Sequence, residues 1–179
     1  LFRSPSIQVA QTQYSGQQQI TTEFERFDMQ KGEFVNNRLL DMTRGNGIHT
    51  LKGNDVSSEY DPLFNEGVVT DAAALAKAKE YTNPQLTWNN VNGDKDEYAT
   101  DAHWGAEKTY DYYKSKFNFT NIGSNNNPLR IYVNVNMYNY QFSMRYPQGG
   151  YGGAFQKPKK PLQGIALWNS TQNAILLEN

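Results

Sequence analysis

The chain has 179 residues, with 17 basic and 18 acidic side chains, two His and no Cys. A length of this order suits one domain or one lobe with a sizeable core, and the near-neutral charge excludes a broad electrostatic footprint on nucleic acid or on an anionic membrane. Without Cys there is no disulfide framework, thiol nucleophile or Cys-ligated metal, and two His are too few for a three-His metal site.

In chain order, short strands come first. Ile7, Val9 and Gln11 alternate with Gln8, Ala10 and Thr12 up to a turn at Ser15-Gly16, a period-2 pattern. The next strand places Ile20, Thr22, Phe24 and Arg26 on one side, and Arg38 to Met42 forms another. The turn Gly45-Asn46-Gly47 then leads into Ile48 to Leu51. The Ala- and Lys-rich run after Thr70 predicts a helix over 70–81, with Thr70 as N-cap and Pro84 beyond its end. A longer helix is predicted over 101–117. Ala102, Ala106, Tyr110, Tyr113 and Phe117 fall on one face of it, and this stripe is expected to pack against the sheet. Asp101 in its first turn and Lys114 and Lys116 in its last match the helix dipole.

Beyond the helix, Ile131, Val133, Val135 and Met137 alternate with Tyr132, Asn134, Asn136 and Tyr138 as one strand. The Gly- and Pro-rich segment 140–163 reads as a flexible connection, and 164–179 as a terminal hairpin. The whole predicts an α+β class: a single lobe over 1–179, mostly antiparallel sheet, with one long amphipathic helix and one shorter Ala-rich helix. Aromatic residues make up 13% of the chain, so the core is expected to lean on rings. No run of about 18 apolar residues is present to span a bilayer. The start, Leu1-Phe2-Arg3-Ser4-Pro5, lacks the basic-then-apolar pattern of a leader, which fits a cytoplasmic protein or a mature form whose leader is gone.

Few residues suggest chemistry. Asp94, Asp96 and Glu97 cluster carboxylates as a calcium site would, but the spacing is not that of an EF-hand, and a solvated helix start explains them better. His103 and Glu107 stand one turn apart on one helix face. They form a pair that in principle holds two metal ligands, although a hydrogen-bonded structural His103 is the stronger reading. Gly149-Gly150-Tyr151-Gly152-Gly153 lacks the Lys-Ser/Thr of a phosphate loop, and no Ser sits in a nucleophile elbow. From the residues alone no self-contained catalytic site is visible.

Three motifs carry a resemblance. Asp101-Ala102-His103-Trp104-Gly105-Ala106-Glu107-Lys108-Thr109-Tyr110-Asp111-Tyr112-Tyr113-Lys114 resembles the first long helix of thermolysin-like zinc metallopeptidases. Thr43-Arg44-Gly45-Asn46-Gly47-Ile48 resembles a turn of that family, and Tyr14-Ser15-Gly16 with Ile20-Thr21-Thr22 its first hairpin. The resemblance implies the β-rich amino-terminal lobe of an enzyme whose zinc and substrate lie in a cleft against a helical carboxy-terminal lobe. The family's His-Glu-x-x-His, which supplies two zinc ligands and the general base, occurs nowhere in the 179 residues.

One functional element carries over. Ile165-Ala166-Leu167-Trp168-Asn169 resembles the family's edge strand, whose backbone pairs with an extended substrate peptide. Ile165 stands where the family has an Asn that holds the substrate backbone. The resemblance thus implies no cofactor in this chain, with zinc and calcium expected in the full-length parent. It implies as partners the carboxy-terminal catalytic half and a peptide substrate, with no nucleic acid or membrane partner, and a secreted location. Ile165 leaves open an alternative, a stand-alone, non-catalytic binding module derived from the same lobe.

Overall fold

Period-2 alternation builds the first half of the chain, although in the first strand the side it buries is not the more apolar one. The computed structural model describes residues 4–30, 32–54, 57–60, 72–85, 87–89, 96–121, 127–139, 166–169 and 173–177. Strands β1 (Ser4–Gln11), β2 (Gln17–Asp28) and β3 (Glu33–Arg38) form an antiparallel meander. On β1 the inward residues are Gln8 and Ala10, while Ile7 is 72% exposed. The inversion follows from a buried amide network. Gln8 accepts from the Trp88 indole at 2.9 Å and donates to Asn37 Oδ1 at 2.8 Å, and Asn37 in turn donates to the backbone at Asn83 and Gln85. Buried amides matched in this way escape the desolvation penalty that would otherwise push them to the surface.

The chain changes sheets across a single residue. Arg38 ends β3, Leu39 is fully buried, and β4 (Leu40–Asp41) already pairs with β5 (Ile48–Lys52) in a second sheet. Next come β6 (Ser57–Tyr60), α1 (Ala72–Leu75), β7 (Lys79–Glu80), β8 (Thr82–Asn83) and β9 (Thr87–Trp88). The helix expected over 70–81 is therefore only α1 within the described residues. Lys79 and Glu80 pair with Lys52 and Leu51 instead, and Glu80 bonds His49 and Arg38. A short isolated helix is marginal on propensity alone, so long-range strand pairing prevails.

The long helix α2 (Asp96–Phe117) starts five residues before the expected Asp101, with Asp96 and Glu97 in its first turn. Beyond it lie β10 (Leu129–Val133), β11 (Asn136–Asn139), β12 (Ala166–Asn169) and β13 (Ala174–Leu177). The single strand expected from Ile131 to Tyr138 is split at Asn134, whose φ of 63° is left-handed. Asn tolerates that conformation better than the β-branched residues beside it. Segment 140–163 and Ile165 lie outside the described residues.

The first sheet runs β8-β3-β2-β1-β9; the second runs β12-β13-β10-β5-β4, with β7 also on β5; β11 and β6 pair alone. The class is α+β and most strand pairings are antiparallel, as expected, but the sheets are not purely so: β1–β9, β10–β13, β10–β5 and β11–β6 are parallel. Parallel neighbours need long crossovers, which a local pattern does not reveal. The main core joins Ala10, Ile20, Leu39, Ile48, Trp88, Ala99 and Ile131 between the sheets and α2, and a second cluster packs α1 against Leu51, Tyr132 and Leu176.

Candidate functional site

The face that α2 buries carries Asp96, Ala99, Thr100, His103, Glu107 and Tyr110. This corrects the expected stripe: only Tyr110 of its aromatic members is buried, with Tyr113 49% and Phe117 64% exposed. The reason is a gap in the first sheet. Where β3 leaves at Leu39, the peptide groups of Thr21 lose their strand partner. His103 Nε2 donates to Thr21 O at 2.9 Å, and Glu107 Oε1 accepts from Thr21 N at 2.7 Å. Residues one turn apart on a helix lie side by side, so the two side chains stand in for the missing strand.

The rest of the junction is charged. Arg44 forks onto Asp111 at 2.9 and 3.0 Å, bonds Asp41 and the Thr21 hydroxyl, and lies 3.4 Å from Glu107. Burial works against the Arg44 charge, but Asp111, Asp41 and Glu107 outweigh it and hold its pKa above the ordinary value. Burial pushes His103 down to about 4, only partly offset by the Thr21 carbonyl and Asp41. Burial also pushes Glu107 up to about 7, against the pull of Thr21 N–H and Arg44. His103 is therefore neutral at pH 7, and its Nδ1 accepts from the Thr50 hydroxyl at 2.9 Å.

On the neighbouring face α2 stays open. Ala102, Gly105, Ala106 and Tyr113 form one wall of a groove of about 530 Å³, and Leu129, Ile131, Ile175 and Leu177 form its floor on β10 and β13. Strand β12 continues that floor to the sheet edge. Ala166 stands opposite Leu177 and Trp168 opposite Ile175, and directly opposed residues share a sheet face. Ala166 is exposed and Trp168 half-exposed. Of the expected substrate residues, then, Ala166, Leu167, Trp168 and Asn169 form the edge strand, while Ile165 is outside the described residues.

A comparison with protein families matches residues 8–164 to thermolysin metallopeptidase, catalytic domain. The chain belongs to the thermolysin metallopeptidase family. What it carries is the family's amino-terminal β-rich part, without the His-Glu-x-x-His helix. The match ends at Gly164, one residue before the candidate substrate strand. Thermolysin metallopeptidases depend on zinc, and the residues present do not fit that ion. Both His103 ring nitrogens are engaged, and His49 Nε2 lies 2.7 Å from Glu80. Among the described residues no group of three or more His, Asp or Glu is placed to hold a metal. Among them too, no helix is long and apolar enough to cross a membrane.

Motif reading picked out His103 and the Thr43–Ile48 turn but missed what joins them. Its signal was Asp41 three residues before Arg44 and Glu107 four after His103. The groove was missed outright, because its wall was expected to be core.

Proposed function

We propose that this chain is the amino-terminal, substrate-strand lobe of a secreted zinc metalloendopeptidase that hydrolyses internal peptide bonds. On this reading the zinc ligands and the general base belong to the helical carboxy-terminal half, and these 179 residues alone cleave nothing. The observation that carries the reading is the open apolar groove whose floor residues Ile175 and Leu177 stand opposite Trp168 and Ala166 of β12, the edge strand of that sheet among the described residues. A groove that apolar is a surface to be covered, and Ala102, Gly105 and Ala106 leave room for another element to approach α2 closely. Beside it, the outer N–H and C=O groups of β12, which pair with no strand among the described residues, suit pairing with an extended peptide. The covering half and the peptide would thus meet along Ala166 and Trp168. Calcium, like zinc, is assigned to the parent enzyme.

Titration of the chain with the separately expressed, zinc-bearing carboxy-terminal half of a thermolysin metallopeptidase tests this. A one-to-one complex is expected, abolished by Ala106→Arg. No complex, or one indifferent to both Ala106→Arg and Leu177→Asp, contradicts the reading; peptide binding to the chain without the other half would favour the stand-alone binding module instead.

A further inference from the structure

A second cavity, of about 390 Å³, shares no lining residue with the groove and is lined by Val9, Gln17, Gln18, Gln19, Trp104 and Lys108. Its size falls within the roughly 300–1,000 Å³ of small-molecule sites. Two elements build it. Val9 stands opposite Gln19 on the β1–β2 ladder, and Gln17 lies two residues from Gln19, so all three share the outer face of the hairpin. Trp104 and Lys108, one turn apart, come from α2.

Most polar side chains there have no partner among the described residues. The side chains of Gln17, Gln19 and Lys108 make no hydrogen bond or ion pair among the described residues. Gln18 donates to Ser15 O at 2.6 Å. The Trp104 indole N–H is buried with no acceptor among the described residues, which costs about 1–3 kcal/mol for a donor of this kind. The β1–β2 amides on the core side, by contrast, are matched: Gln8 is bonded to both Asn37 and Trp88.

We infer that this pocket binds a neutral oligosaccharide. No carboxylate lines it, so it does not suit a cation, and a single ammonium does not suit a polyanion. The carboxamides of Gln17 and Gln19, two residues apart on one face of β2, offer donors and acceptors side by side, as vicinal hydroxyls do. The indole supplies an apolar ring beside these amides, which fits the two-sided character of a sugar. The site is independent of the peptidase reading and stands if that reading fails.

The test is a ¹⁵N-correlation NMR titration of the full chain with cellotetraose, maltotetraose, xylotetraose and chitotetraose as probes. At least one is expected to shift the Trp104 indole N–H and the Gln17 and Gln19 side-chain amides saturably. Gln19→Ala and Lys108→Ala, both at exposed positions, should each weaken that binding about tenfold, the effect of losing one good hydrogen bond, with the thermal midpoint unchanged. The inference is overturned if no probe shifts these resonances or if the shifts map to the groove or β12. It is equally overturned if binding ignores both substitutions, or if acetate reproduces the shifts and no sugar does.

Discussion

On one side of α2, His103 and Glu107 are hydrogen-bonded to Thr21 and Thr50. On the adjoining side Ala102, Ala106 and Tyr113 look across an open groove at Ile131, Ile175 and Leu177. The first face is polar and closed; the second is apolar and open. Usually the apolar side of a helix is the buried one. Its reversal here indicates that the polar face completes this lobe from within, whereas the apolar face is kept for something else. The comparison also separates stability from function: changes on the polar side should unfold the lobe, and changes on the groove side should leave it folded but unpartnered.

The largest effect is expected at Arg44. Arg44→Ala strands fully buried Asp41 and buried Glu107 without their cation, and breaking a buried pair in this way costs about 3 kcal/mol or more. Urea unfolding would read it directly. Arg44→Lys should recover only part, since an ammonium cannot fork onto Asp111 while holding Asp41. A loss smaller than that of an ordinary surface substitution would mean that the junction does not hold the lobe together.

A subtler effect comes from pH. Neutral His103, lowered from 6.5 to about 4, contributes stability that is present above 6.5 and lost as pH falls toward 4. Glu107, raised from 4.5 to about 7, contributes stability that is present below 4.5 and lost as pH rises toward 7. Between 4.5 and 6.5 the two slopes oppose each other. Glu107→Gln should therefore leave a lobe whose urea midpoint rises with pH across that window, and His103→Asn one whose midpoint falls. Parallel slopes in the two variants would contradict the assignment of charges at the junction.

The smallest change in stability is expected on the open side. Tyr113→Ser removes a half-exposed ring and should alter stability by no more than about 0.5 kcal/mol, yet weaken association with the carboxy-terminal half, as calorimetry would show. A large loss of stability would mean that the groove wall already belongs to the core.

Much of the fold was legible because it is local. The β1–β2 hairpin follows from alternation and Gly16, and most of α2 from its helix formers and end charges. What was illegible is non-local or polar. Apolar periodicity points to Ala102, Tyr113 and Phe117 and is blind to a buried stripe of Asp96, Thr100, His103 and Glu107. Arg44 and Asp111 are 67 residues apart, so no spacing rule joins them. Ala-rich propensity over 70–81 gave way where Lys79 and Glu80 found β5. The edge strand is legible as half of a terminal hairpin, but its substrate role only by resemblance; its place at the rim of the groove depends on the pairing of β12 with β13 and of β13 with β10.

The most direct test of the central claim is peptide hydrolysis, with bound zinc measured in the same samples, by the 179-residue chain alone and after mixing with the zinc-bearing half. The account predicts no stoichiometric zinc and no cleavage by the chain alone, and chelator-sensitive cleavage in the mixture. Stoichiometric zinc and cleavage by the chain alone would contradict it.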